Sequence, residues 1–271
     1  MVDSLLAMLP GARRDRAGNA VLTLGAGTSR RLLACPVDEP GYVVGGVRAD
    51  GYLTLRRSPG GISTAREAQL EGQRVDIETS KGLVPGVVAV RSIHLTRGRD
   101  RDPRPGRFTV DSALVDVGAA AESEVAALGV RVLAPVTLHK TVHRYGGGFL
   151  AAPMAGRRAA CAALLAAARR ASAEQGMIPR RESVVIAFVV EQELTARGLA
   201  TIANAMGRFE ESLVLDGEGM PAVSTTEWPA LGRVRTRALP VRYGGTAIET
   251  VQLSEVDRLA SELATLIRGS R

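Results

Sequence analysis

Three carboxylates, Asp38, Glu193 and Asp216, stand at or near the ends of apolar runs that read as β-strands. A lone carboxylate there caps a helix or pairs with an arginine; several together, with imidazoles, could hold metal. Hydrolysis at a paired-metal centre needs two cations about 3.5–4 Å apart, a bridging carboxylate, terminal His and carboxylate ligands, and a carboxylate base for the bridging water. The histidine supply is thin. His94, His139 and His143 are the only three, and none lies within 1–40 or 149–271. His139 and His143 fall on one face of an expected strand and suit a shared metal, against the alternative of surface or interface histidines.

The elements that must position these groups follow from periodicity. A short apolar helix is expected from Val2 to Leu9, ended by Pro10-Gly11, then strands at Ala20–Leu24 and Arg31–Val37. The turn-rich link Gly25–Arg30 predicts that these two strands form a hairpin. Between 42 and 148 the texture changes to short β-like runs: Tyr42–Val47, Tyr52–Leu55, Arg74–Glu78, Val87–Leu95, Ala113–Val117, Val130–Leu133 and Val136–Val142, with one brief helix at Ala121–Leu128. Gly146–Gly148 reads as a domain joint. An Ala-rich helix at Arg158–Glu174, an apolar strand at Ser183–Val190, a helix at Leu199–Ala205, strands at Ser212–Leu215 and Val234–Tyr243, and an amphipathic helix at Glu255–Arg268 complete the chain. The expected fold is α/β: a sheet domain from 1–41 and 149–271 interrupted by a small β-barrel-like domain at 42–148.

Composition narrows the function classes. Only 3% of the residues are aromatic against 45% hydrophobic overall, so the core must be built from Ala, Val and Leu. No run reaches the roughly 18–20 apolar residues of a membrane helix, and the opening lacks the order of a secretion signal, which predicts a cytoplasmic protein. Cys35 and Cys161 have no CxxC spacing and are expected as reduced thiols. A net charge of +7 invites phosphate, but the arginines are spread among acids. The densest basic patch, from Arg97 to Arg107, carries two aspartates and two prolines and reads as a loop.

Six segments, in order, resemble the cobalt- or zinc-dependent aminopeptidases related to deblocking and glutamyl aminopeptidases and to the proteins once called endoglucanase M. Asp15-Arg16-Ala17-Gly18-Asn19 resembles their D-x-x-G-N strand entry, and the segment from Leu32 to Gly41 their LxAHxDExG. Val115-Asp116-Val117-Gly118-Ala119 resembles IDIGA, Phe188–Gly198 resembles TxQEExGxRG with Asp216 as the following strand-end acid, and Pro240–Tyr243 resembles the PxRYxH close. The resemblance implies a three-layer sheet domain of the zinc-peptidase, phosphorylase/hydrolase type, an inserted dimerisation-type barrel, and dimers that build a hollow tetrahedral dodecamer.

Carried over residue by residue, the same resemblance implies a dismantled metal site. The first ligand histidine falls on Pro36, leaving Asp38 nothing to orient. The D-D-R-x-G-C segment with the bridging aspartate reads Gly156-Arg157-Arg158-Ala159-Ala160-Cys161, which puts an arginine where an acid should face the cations. The general base maps to Gln192; shifting the alignment by one makes Glu191 the base and Gln192 the ligand, so one position is lost either way. The terminal histidine falls on Gly245. Glu193 and Asp216 remain as ligand remnants, and Asp38, Arg157, Gln192, Glu193 and Asp216 form the expected vestigial pocket, with Arg157 pairing Glu193 or Asp216 in place of metal charge. The stretch between Asp216 and Arg233 is too brief for the family's usual helix and GTDA loop.

The reading is a pseudoenzyme of aminopeptidase type, with a structural, assembly or partner-binding role. No cofactor is expected, and the partner is a second copy or an active paralogue. The rival is a working aminopeptidase using Zn or Co. A third reading, an Arg-rich nucleic-acid binder, predicts binding that weakens steeply with salt.

Overall fold

The computed structural model describes residues 2–58, 64–90, 108–173, 181–195, 197–217 and 228–269. In chain order the strands are β1 (Arg13–Arg14), β2 (Ala20–Gly25), β3 (Ser29–Pro36), β4 (Tyr42–Val47), β5 (Leu53–Arg57), β6 (Arg74–Thr79), β7 (Gly82–Val88), β8 (Leu114–Asp116), β9 (Pro135–Leu138), β10 (His143–Tyr145), β11 (Phe149–Ala151), β12 (Glu182–Val189), β13 (Glu211–Gly217), β14 (Arg233–Leu239) and β15 (Thr250–Gln252). The helices are α1 (Val2–Met8), α2 (Thr64–Ala68), α3 (Glu122–Ala127), α4 (Ala155–Ala173), α5 (Gln192–Thr195), α6 (Arg197–Met206) and α7 (Leu253–Arg268).

The chain divides into two units. One comprises Met1–Glu39, Val142–Gly244 and Ile248–Arg271; the other comprises Pro40–Thr141 with Gly245–Ala247. The insertion therefore ends at 141, short of the expected 148. The residues in between build β10, which pairs with β11 across Gly146–Gly148 and through β11 joins β15. The triple glycine is a hairpin turn instead of a domain joint, with Gly146 and Gly148 at φ 51° and 96°.

The first unit is a sheet in the order β1-β2-β12-β3-β13-β14. The expected β2–β3 hairpin does not form, because β12 lies between them: antiparallel to β2 with Phe188 opposite Ala20, and parallel to β3 with Phe188 opposite Cys35. A strand apolar at nearly every position needs cover on both faces, which a central place supplies. Alternate residues serve two cores. Val184, Ile186 and Phe188 face a layer of α1, α4 and α7, whereas Val185, Ala187 and Val189 join Leu199 and Ile202 of α6 with Phe209. The result is a three-layer α/β unit. Helix α4 packs mainly through small side chains, Ala160, Ala163, Ala167 and Ala168, with Leu164 among them, and all five are fully buried.

The second unit is a closed barrel in the order β4-β5-β8-β7-β6-β9, filled by residues such as Val44, Leu53, Ile77, Val115 and Val136. Several expected strands differ, among them β9, which ends at Leu138 and not at Val142. Gly82, at φ 117°, turns the chain early, so β7 runs Gly82–Val88 and the remainder of Val87–Leu95 beyond 90 lies outside the described residues. Val130–Leu133 forms a turn, with Leu133 at φ 68°. Closure pairs each barrel strand on both sides, which removes the open edges of the sheet among the described residues.

Phe188 is fully buried in the centre of the sheet unit. Phe188→Ala is expected to lower stability by about 3–5 kcal/mol, whereas Leu83→Ser, at an exposed barrel position, changes it by less than about 0.5 kcal/mol. Urea unfolding followed by circular dichroism checks both.

Candidate functional site

Parallel strands aim their carboxyl ends at one edge of a sheet, and side chains from distant segments converge there. Asp38 lies two residues beyond β3, Glu193 in the short helix after β12, and Asp216 next to the end of β13. Arg157 comes from the first turn of α4, which is seated by a hydrogen bond from the Gly156 amide to Glu249 Oε1 at 2.6 Å.

Arg157 is the centre of the cluster. Its Nε and Nη2 donate to the two oxygens of Asp216 at 2.8 and 3.0 Å, a two-pronged pair. Its Nη1 donates to Glu193 Oε1 at 2.5 Å and to the Asp38 carbonyl at 2.7 Å. The arginine side chain is 3% exposed and that of Glu193 7%. Burial opposes the arginine's charge, but Asp216 and Glu193 outweigh it and hold its pKa above the ordinary value. Burial pushes the Glu193 carboxyl up, and Arg157 draws it back only in part. Asp38 is raised by burial too, against the opposing hydrogen bond that its Oδ2 accepts from the Glu193 amide at 2.9 Å.

The loop carrying Glu193 is pinned from beneath. Asp15 Oδ1 accepts from the Ala17 and Asn19 amides, and its Oδ2 from Asn19 Nδ2. The fully buried Asn19 then donates to the Gly198 carbonyl at 3.0 Å and accepts from the Val190 amide at 2.9 Å. A side chain at 198 would meet the Val190 carbonyl at 2.3 Å and Asn19 Oδ1 at 2.7 Å, so glycine is required by close approach. Between these anchors Glu191 takes φ 55°, an uncommon conformation outside glycine.

Of the five residues expected in the pocket, Asp38, Arg157, Glu193 and Asp216 are brought together by direct hydrogen bonds. Gln192 adjoins them at the start of α5, its Oε1 buried without a hydrogen-bond partner among the described residues. Pro36 ends β3, paired with Val189. Gly156 is closed to any side chain: a Cβ would meet Val241 Cγ1 at 2.6 Å and Glu249 Oε1 at 2.9 Å. Gly245, at φ 72°, groups with the barrel unit.

His139 and His143 belong to different units. His94 lies outside the described residues, as does the Arg97–Arg107 patch. His139 follows β9 in the barrel unit and contacts Asp76 at 3.0 Å, whereas His143 opens β10 in the sheet unit and stacks on Tyr145. They do not share a strand, because β9 stops at Leu138.

Three functional contacts escape sequence reasoning. The Asn19 bridge is visible in the sequence only as part of a motif, and the Glu249 cap carries no sequence signal. Cys35 and Cys161 form a disulfide, contrary to the expected thiols, because β3 and α4 bring two cysteines 126 residues apart to a Cα separation of 5.5 Å.

The donor set does not suit the metal pair that the fold implies. The guanidinium sits between the Glu193 and Asp216 carboxylates, Pro36 and Gly156 offer no side-chain ligand, and a side chain at 156 would clash. Among the described residues, no group of three or more His, Cys, Asp or Glu is placed to hold a metal ion.

A mixed α/β sheet with acids at the ends of its parallel strands, and a closed barrel inserted in the chain, is the fold of aminopeptidase-like proteins. The chain belongs to the M42 glutamyl aminopeptidase family, whose sequence pattern matches residues 18–226. Among curated relatives, the lysyl aminopeptidase of Pyrococcus furiosus is 28% identical over 155 residues, covering 55% of this chain and 43% of that protein. The putative aminopeptidase SgcX of Escherichia coli is 29% identical over 129 residues, covering 46% of this chain and 33% of SgcX. The matched regions thus span less than half of either relative. The fold is shared with the TET1 peptidase of Pyrococcus horikoshii, at a TM-score of 0.79 and 19% identity over 98% of this chain and 92% of that one; that peptidase can assemble into a tetrahedron or a large octahedral shell.

Breaking a buried ion pair costs far more than the pair contributes, because the abandoned charges stay buried. Arg157→Met is therefore expected to destabilise the protein by about 3–5 kcal/mol at pH 8. Raised carboxyl pKa values at Asp38 and Glu193 mean that the stability linked to them is fully present below the ordinary carboxylate range and is lost as pH rises through the elevated values. Without the arginine those values rise further, so the loss caused by Arg157→Met should shrink at pH 5. Melting temperatures of both proteins across pH 5–8 test this.

Proposed function

We propose that this chain is an aminopeptidase-type protein that no longer hydrolyses peptides and keeps the fold for assembly or partner binding. One observation carries the reading: the Arg157 guanidinium is salt-bridged to both Glu193 and Asp216, supplying internally the positive charge that these acids would otherwise take from metal. A guanidinium stays protonated at any physiological pH and cannot ligate a cation. With Gln192 at the general-base position, the side chain there cannot take a proton from water.

The surviving roles are those of the scaffold. The described residues contain no helix long and apolar enough to cross a membrane. Assembly of the Pyrococcus horikoshii relative into closed shells supports a second copy of this chain, or an active paralogue, as the partner.

Protein purified without chelator and then incubated with excess Co or Zn is expected to retain less than about 0.1 equivalent of metal per chain. It should release no N-terminal residue from unblocked peptides. Elemental analysis showing near two equivalents, with peptide cleavage that follows the metal, would overturn the proposal.

A further inference from the structure

We propose that the Cys35–Cys161 disulfide is a redox-addressable clasp that fixes the first turns of α4, and with them Arg157, against the end of β3. It stands on geometry alone and holds whether or not the chain hydrolyses peptides.

Cys35 is the penultimate residue of β3, and Cys161 follows Arg157 by four residues on α4. That spacing puts Cys161 and Arg157 on the same helix face. The bond joins positions 126 residues apart, spanning all of Pro40–Thr141. A cross-link closing so long a loop removes much freedom from the unfolded chain. The cross-link lies beside Pro36 at the end of β3 and on the first turns of α4, which begins at Ala155.

The two cysteines differ in exposure. Cys35 is fully buried, whereas Cys161 is 9% exposed and lines a cavity of about 260 Å³ together with Asp38 and Arg157 of the candidate site and with Met8, Met154, Ala162 and Leu165. A small dithiol entering this cavity meets Cys161 first. Its thiolate attacks Cys161 Sγ, the bond to Cys35 breaks, and Cys35 leaves as a thiolate that takes up a proton. The second thiol of the reagent then attacks the mixed disulfide, releasing Cys161 as a thiolate that is protonated in turn. The reagent leaves as a cyclic disulfide, so two electrons and two protons pass to the protein. Reduction removes the covalent tie between the start of α4 and β3, leaving the alanine packing of the helix and the hydrogen bonds of Arg157 to hold them.

The test uses the whole chain equilibrated with either oxidised or reduced dithiothreitol. Alkylation in denaturant should label no thiol in the first sample and two in the second. Reduction should lower the melting temperature by on the order of 10 °C. Cys35→Ala should melt at that lower temperature with or without reductant. Amide hydrogen exchange at Gly156, Arg157 and Arg158 should quicken about tenfold on reduction, and Ala162→Phe, which narrows the cavity, should slow reduction by about tenfold without lowering the oxidised melting temperature. Two free thiols in the oxidised sample, or an unchanged melting temperature, would overturn the clasp. A melting shift with unchanged exchange at 156–158 would overturn its hold on Arg157, and reduction at an unchanged rate in Ala162→Phe would overturn the route through the cavity.

Discussion

A buried positive charge must be matched where it lies, and Arg157 is matched on three sides, by Asp216, Glu193 and the Asp38 carbonyl. Each partner arrives on a different strand end, so the ion pair ties β3, β12 and β13 to α4 at one edge of the sheet. Remove the guanidinium and two carboxylates face each other with little water to screen them. The burial that raises the Glu193 pKa is the same burial that makes the arginine indispensable to its neighbours. In this chain the demand for positive charge at the strand ends is met by the polypeptide itself.

Around that centre the backbone is held by contacts that have no chemistry of their own. Asn19 bridges the Val190 amide and the Gly198 carbonyl, Gly198 allows the approach, and Glu249 caps the start of α4. The disulfide joins the two elements on which Pro36 and Gly156 provide no side-chain link. These contacts hold the geometry of the site independently of the side chains at its centre. The strand-end architecture is set by sheet order and core packing, and only a few side chains at the edge decide what it binds.

Apart from Arg157 and the joint role of the strand-end acids, which only the family resemblance marks, the sequence determined the apolar runs of the core and the interruption of an α/β sheet by a β-rich unit. These are local facts: period, apolar runs and the residue type at each position survive without knowledge of neighbours. Tertiary structure decided the rest. A hairpin expected from the Gly25–Arg30 turn gave way because β12, apolar on both faces, took the place between β2 and β3. The start of β7 at Gly82 and the turn in place of a strand at Val130–Leu133 go with positive φ angles at Gly82 and Leu133, and the second is one that residue type does not announce. The pairing of Cys35 with Cys161, and the choice of both Asp216 and Glu193 as partners of Arg157, depend on which segments the sheet order brings together, and spacing along the chain carries no record of that.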